Sequence, residues 1–226
     1  LGINKTIKDY LDVSYDPKLR PLTNYPFKLA KYLFDKYDLD SNFKILDIGA
    51  GRCEVLLGFQ MLGMKCFAAD ISKVSGEYAK AQNIKFEHIV DKEKLPFDDE
   101  KFDVVFCKSL IEHLENPKQF FNEILRILKP DGIFLVMTPD WESNMKIFYD
   151  DYTHIKPFTK ESILQIFAES GFRNVNCEYL IQLPITWRFK SAKILSKIIK
   201  PFVHRRIKIK FLRWSRELQL LGYGVK

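Results

Sequence analysis

Residues 44–54, KILDIGAGRCE, place a run of apolar strand-forming residues directly before two glycines. That junction constrains the fold more than any other stretch. A short buried strand that ends in a glycine turn and passes into a helix opens a parallel βαβ protein, whose ligands sit beyond the carboxyl ends of its strands. Gly49 and Gly51 let the backbone turn sharply and come close to such a ligand. The same alternation then repeats. Apolar spacing predicts helices over 24–39, 53–63, 75–83, 117–132 and 159–171. Strands are predicted over 43–49, 65–70, 84–90, 101–109, 133–139, 172–183 and 217–226. Such a pattern implies a largely parallel sheet covered by helices on both faces.

Charge is unevenly spread. The net charge is +7, yet between Trp187 and Arg216 there are eleven Lys or Arg and no acidic residue, which leaves 36 − 11 = 25 basic against 29 acidic residues elsewhere. The body is mildly acidic, and one late segment carries the basicity. Within it, apolar residues at 194, 195, 198, 199 and 202 oppose lysines at 190, 193, 197 and 200, predicting one basic amphipathic helix over 186–206. Trp187, Phe189, Phe202, Phe211 and Trp214 flank these charges, which suits an anionic membrane surface touched through residues 187–214 better than a nucleic acid. An insertion packed on its own body, with a solvated basic face, is the plainer alternative.

The four cysteines, Cys53, Cys66, Cys107 and Cys177, form no CxxC, and no spacing matches a zinc site, so reduced thiols and no metal are expected. The opening LGINKTIKDYLDV has no apolar core of signal-peptide length, and no stretch approaches the ~20 apolar residues of a membrane span. A cytoplasmic protein, peripheral on the inner face of the membrane, is expected.

Spacing decides what the glycine turn meets. A dinucleotide site requires G-x-G-x-x-G, whereas the sixth position here is Glu54, whose carboxylate would face a pyrophosphate unfavourably. Asp70 ends the second strand, 21 residues after Gly49, where an acid can accept from two ribose hydroxyls or, alternatively, cap the next helix. The turn therefore suits a ribose better than a pyrophosphate.

At this point the chain resembles the class I S-adenosylmethionine-dependent methyltransferases over residues 25–180. The resemblance rests on ILDIGAGRC, AADIS, DKEKLPFDDEKFDVVFCKSLIEHLENP and ILRILKPDGIFLVMTP, in that order. It implies an α/β fold with a doubly wound seven-stranded sheet, mostly parallel with an antiparallel last strand. The implied organisation is a helical cap over 1–40, a cofactor-binding core over 41–184, a basic insertion over 185–215 and the last strand over 216–226. The implied cofactor is S-adenosylmethionine. Gly49, Ala50 and Gly51 would pass beside its methionine and ribose, and Asp47 would order that loop and reach the ammonium through water. Asp70 would hold the ribose and Ile71 would pack on the adenine. Asp91 would accept from the adenine amino group, with a backbone contact from Lys92. Lys108 would line the methionine end through its backbone. Cys53 departs from the family, which usually has a third glycine there.

Methyl transfer to a hydroxyl needs a base. His88 reads as structural, and His204 as solvated or interfacial. His113, in SLIEHLENP, stands where related enzymes often carry Glu-His, in an orienting, structural or catalytic role. DDYTHIKPFT resembles a Thr-His-x-x-Phe-Thr stretch of relatives; His154 is the candidate base, oriented by Asp150 or Asp151. The competing reading has Thr153 and His154 pinning the loop and Thr159 capping the next helix. Asp140 and Trp141 are candidates to line the acceptor pocket. The closing FLRWSRELQLLGYGVK is similar to the tail of methyltransferases of bacterial surface-polysaccharide and lipid-linked glycan pathways. O-methylation of a sugar hydroxyl on a glycan, nucleotide-sugar or lipid-linked acceptor is therefore expected. A quinone or other lipid, an RNA, and a non-catalytic cofactor-binding role are the alternatives.

Overall fold

The computed structural model of the chain describes residues 9–14, 20–90, 94–199, 203, 207 and 209–226. In chain order, α1 (Tyr10–Ser14) and α2 (Tyr25–Lys36) precede β1 (Lys44–Ile48), α3 (Glu54–Met61), β2 (Lys65–Asp70), α4 (Lys73–Ala81) and β3 (Lys85–His88). The second half runs β4 (Phe102–Lys108), α5 (Pro117–Ile127), β5 (Leu128–Pro139), α6 (Trp141–Asn144), α7 (Lys160–Glu169) and β6 (Arg173–Ile181). Then come α8 (Pro184–Arg188), α9 (Lys190–Ile199), α10 (Lys210–Arg216) and β7 (Leu218–Val225).

The seven strands form one sheet in the order β3-β2-β1-β4-β5-β7-β6. The first five in that order run parallel to one another, and β7 runs antiparallel to both β5 and β6. The winding reverses between β1 and β4, and a doubly wound sheet opens its ligand crevice at such a reversal.

Side chains alternate across the strands and divide the core in two. Leu46, Ile48, Val105, Cys107, Phe134 and Val136 face α5 and α7. Ile45, Val104, Phe106, Leu135 and Met137 face α2 and α3. Both faces are covered, so the strands read as unbroken apolar runs. In α5, Phe120, Phe121, Ile124 and Ile127 lie on one face, Pro117 starts the helix, and the Asn116 side chain accepts from the Gln119 amide. A fully buried side chain of that size contributes roughly 1.5–3 kcal/mol.

Two expectations need correcting. The fifth helix stops at Ile127 rather than at the Pro-Asp-Gly exit, because Leu128 already pairs with Phe102 on β4. The basic segment is not one helix. Phe189 is extended (φ −121°, ψ 119°) and separates α8 from α9. The remainder of that segment up to α10, including Phe202 and His204, lies largely outside the described residues. Trp187 and Trp214 do not flank the charges at the surface. Trp187 stacks on Tyr32 at 4.8 Å between centroids, and Trp214 lies 5.2 Å from Tyr25, so both anchor the segment to α2.

Candidate active site

The glycine turn lies over the end of β2: the Gly49 and Ala50 amides both donate to the Ala69 carbonyl, at 2.8 and 3.3 Å. Gly49 and Gly51 take positive φ of 75° and 54°, the conformation their lack of a Cβ allows. Cys53 also has positive φ, 59°, and stands at the N-cap of α3. A glycine is at ease in that conformation, and Cys53 holds it while wholly buried. Burial pushes its thiol up to about 12.

Asp70 is 1% exposed. One carboxylate oxygen accepts from the Gly51 amide at 2.9 Å and the other from the Ser72 amide at 2.8 Å. The Tyr10 hydroxyl donates to the first oxygen, also at 2.9 Å. Ser72, not Asp70, caps α4, so the helix-capping alternative for Asp70 falls away. Tyr10 was not legible in the sequence: nothing local marks a residue 60 positions upstream of Asp70 as its neighbour. With it comes Leu11, buried against the open side of Gly51. Leu110, just after β4, closes the Gly49 side, where an added Cβ would stand 3.4 Å from it. A carboxylate offers about four lone-pair positions. Three are filled, so two ribose hydroxyls engage Asp70 fully only when the Tyr10 hydroxyl moves aside. Ile71 is 54% exposed beside Asp70, an apolar surface free to receive a flat ring. Asp91 and Lys92 lie outside the described residues.

Asp47 is buried, and burial together with the Asp70 charge holds its carboxyl well above the usual range; Lys108 pulls the other way. Burial lowers the Lys108 ammonium, opposed by Glu112 and Asp47, so its side chain is coupled to both carboxyls. Two carboxyls at the reversal of the sheet suit a ligand carrying both a ribose and positive charge.

Beyond this pocket, a tight turn after β4 carries Glu112 and His113, and the loop after β5 brings His154 to them. The Ile155 and Lys156 amides both donate to the Glu112 carbonyl, at 2.9 and 3.0 Å. The two imidazole centroids are 4.7 Å apart. The Nδ1 of His154 lies 2.6 Å from the Phe148 carbonyl, which fixes the proton there and leaves the lone pair on Nε2. That carbonyl, rather than an aspartate, orients the ring; Asp151 comes only within 3.9 Å of Nε2, beyond hydrogen-bond range. The Nδ1 of His113 lies 3.1 Å from the Thr153 carbonyl. The Thr153 hydroxyl donates to Asp151 at 2.6 Å, so Thr153 does pin the loop. Thr159 caps α7 through a reciprocal pair with Ser162. Asp140 is buried as the N-cap of α6, accepting from the Ser143 amide at 2.9 Å, and does not line an open pocket. Trp141 packs edge-on against Phe148 at 5.4 Å. His88 Nε2 meets the Ile71 carbonyl at 2.9 Å, the structural role expected of it. A cleft of about 240 Å³ lined by Pro117, Lys156, Phe158 and Ile166 lies apart from the glycine turn.

A glycine turn on the central strand, a buried acid at the end of the next and a crevice at the reversal are the arrangement by which doubly wound α/β proteins receive a nucleoside. The family model for a methyltransferase domain matches residues 46–136. The chain is 30% identical over 208 residues to an uncharacterized protein, MJ0638, of Methanocaldococcus jannaschii, covering 87% of this chain and 88% of that protein. It is 32% identical over 101 residues to the uncharacterized methyltransferase YcgJ of Bacillus subtilis, 42% of this chain but only 40% of YcgJ. It is 30% identical over 121 residues to the ubiquinone biosynthesis O-methyltransferase of Rickettsia bellii, half of each chain. In fold it is similar to a S-adenosylmethionine-dependent methyltransferase from Archaeoglobus fulgidus, with a TM-score of 0.65 at 20% identity over 96% of this chain and 100% of that one. The chain carries a methyltransferase domain over residues 46–136 and has the fold of S-adenosylmethionine-dependent methyltransferases, and S-adenosylmethionine is the cofactor that its crevice fits.

Proposed function

We propose that the enzyme methylates a hydroxyl oxygen, that of a sugar in a glycan or lipid-linked glycan, at an anionic membrane surface. The observation that carries the choice of oxygen is the tautomer of His154, whose Nδ1 is committed to the Phe148 carbonyl and whose Nε2 lone pair is free to take a proton. The acceptor oxygen attacks the methyl carbon in line with its bond to sulfur. S-adenosylmethionine would supply the methyl group and leave as S-adenosylhomocysteine, the electron pair of the broken bond staying on sulfur, and His154 Nε2 would take the hydroxyl proton. Alignment supplies most of the acceleration. A nitrogen acceptor would have less need of the base.

The membrane surface is supported by α9. Its Ser196 is buried, while Ile194, Leu195 and Ile198 are 59%, 55% and 60% exposed beside exposed Lys190 and Lys193. An apolar stripe turned outward among unopposed cations complements anionic lipid. Among the described residues, no helix is long and apolar enough to cross a membrane.

A quinone precursor is the second acceptor, favoured by the likeness to the Rickettsia enzyme. The test is incubation with methyl-labelled S-adenosylmethionine and, separately, lipid-linked glycans, quinone precursors and RNA. Label should enter the glycan fraction, and His154→Asn should lower the rate about 10²-fold or more, the usual worth of a general base. Label entering quinones or RNA instead would replace the acceptor proposed, and an unchanged rate in His154→Asn would remove the base.

A further inference from the structure

Glu112, His113 and His154 raise a question that proton transfer alone does not answer. Glu112 is wholly buried. One carboxylate oxygen accepts from the Thr138 hydroxyl at 2.8 Å, and the other, equally buried, has no hydrogen-bond partner among the described residues. A buried carboxylate oxygen left unpaired costs several kcal/mol unless a cation or donor meets it. The side chains that share its space are the two imidazoles, and one donor atom from each of the three residues lies within 4.8 Å of the other two.

We infer that this trio binds a divalent transition-metal ion of the zinc or manganese type. Two imidazoles and one carboxylate are the donors of catalytic zinc sites and of three-ligand sites that keep positions open for a substrate. The supporting contacts are also in place. His154 directs Nδ1 at the Phe148 carbonyl, and His113 directs Nδ1 at the Thr153 carbonyl and at the Thr153 hydroxyl oxygen 2.9 Å away, whose own proton goes to Asp151; both contacts favour the tautomer that offers Nε2 to a metal. The Thr138 hydroxyl holds the second carboxylate oxygen in the same way. Bonds of about 2.0–2.2 Å to a shared ion require the donors to draw in by about 1 Å. The exposed loop that carries His154 and the side-chain torsions of His113 can supply that movement.

The inference goes beyond the reading of His154 as a base and rests on the same side chains. A bound ion would take the Nε2 lone pair and assume its task, because a hydroxyl on a divalent cation loses its proton far more readily than a free one. It would also orient an acceptor bearing neighbouring oxygens, as sugars and quinone precursors both do.

The test is titration calorimetry of chelator-treated enzyme with zinc chloride. Wild type should take up one equivalent per chain in the micromolar range or tighter. Glu112→Gln, which keeps the shape and the Thr138 contact, and His154→Asn should each weaken binding by more than about 100-fold, beyond the usual 10–100-fold effect of an outer-shell partner. S-adenosylhomocysteine binding in the same variants reports that they are folded. Absence of saturable zinc binding by wild type up to millimolar concentration would overturn the inference. So would zinc binding that both folded variants retain, since it would then lie at cysteines or other histidines. The titration reads the metal site without turnover, so its failure leaves the base reading standing, and failure of the labelled-methyl assay leaves the zinc result intact.

Discussion

Two buried carboxyls, Asp70 and Asp47, stand at the reversal of the sheet. Asp70 is the acceptor for one amide of the glycine turn and one at the start of the next helix, so it shapes that pocket. Asp70→Ala should weaken S-adenosylhomocysteine binding by about 10²-fold in calorimetry, as expected for the loss of two hydrogen bonds to a charged group. Asp47 provides a pH signature. Its folded-state pKa is raised by burial and by Asp70. A raised folded pKa gives stability that is complete below the unfolded value, about 3.9, and is lost as pH rises through the folded value. Melting curves of the cofactor-free protein from about pH 4 to pH 8 should therefore show Asp47→Asn gaining on wild type as pH rises; a constant difference would show that the shift is absent. The residues of the glycine turn and both aspartates were legible because strand, turn and spacing all act locally. Tyr10 and the Glu112–His154 pairing were not. Contacts between segments 41 or more residues apart leave no periodic mark, and neither histidine has the spacing of a familiar metal motif.

At the level of elements, the seven strands and the main helices were legible to within a few residues, since the central strands are apolar runs and α4, α5 and α7 carry side-chain caps. The exceptions have physical causes. Leu128 leaves the helical pattern because β4 offers it a partner, and Phe189 breaks the basic helix by going extended. The sequence left the stripe of α9 open between a lipid surface and its own body, and the burial of Ser196 beside exposed Ile194, Leu195 and Ile198 turns that stripe outward. β7 shows close packing more clearly. A Cβ on Gly224 would stand 2.6 Å from the Phe167 ring and 3.0 Å from Phe172, so these two glycines-in-strand positions, Gly222 and Gly224, let α7 lie close on the sheet. Gly224→Val should lower the urea midpoint by the equivalent of about 2–3 kcal/mol with an unchanged slope, the cost of overpacking a filled core.

For the whole molecule, charge is the organising feature: a mildly acidic body and a basic segment joined to it through Trp187 and Trp214. Binding to anionic vesicles should weaken as salt shortens the screening length from about 10 Å at 0.1 M to about 3 Å at 1 M. Replacing Leu195 and Ile198 with Asp should reduce co-sedimentation further while leaving S-adenosylhomocysteine binding unchanged; binding indifferent to both changes would rule out a lipid-facing role. The sheet order also bears on biosynthesis. Among the described residues β6 pairs with β7 alone, and β7 separates it from β5. Until translation has passed Val225 and released that stretch from the ribosome, a nascent chain carries β6 with no partner and β5 with an open edge. Both invite pairing with other chains, so this sheet is completed late, and the interval before completion is when a chaperone has most to protect.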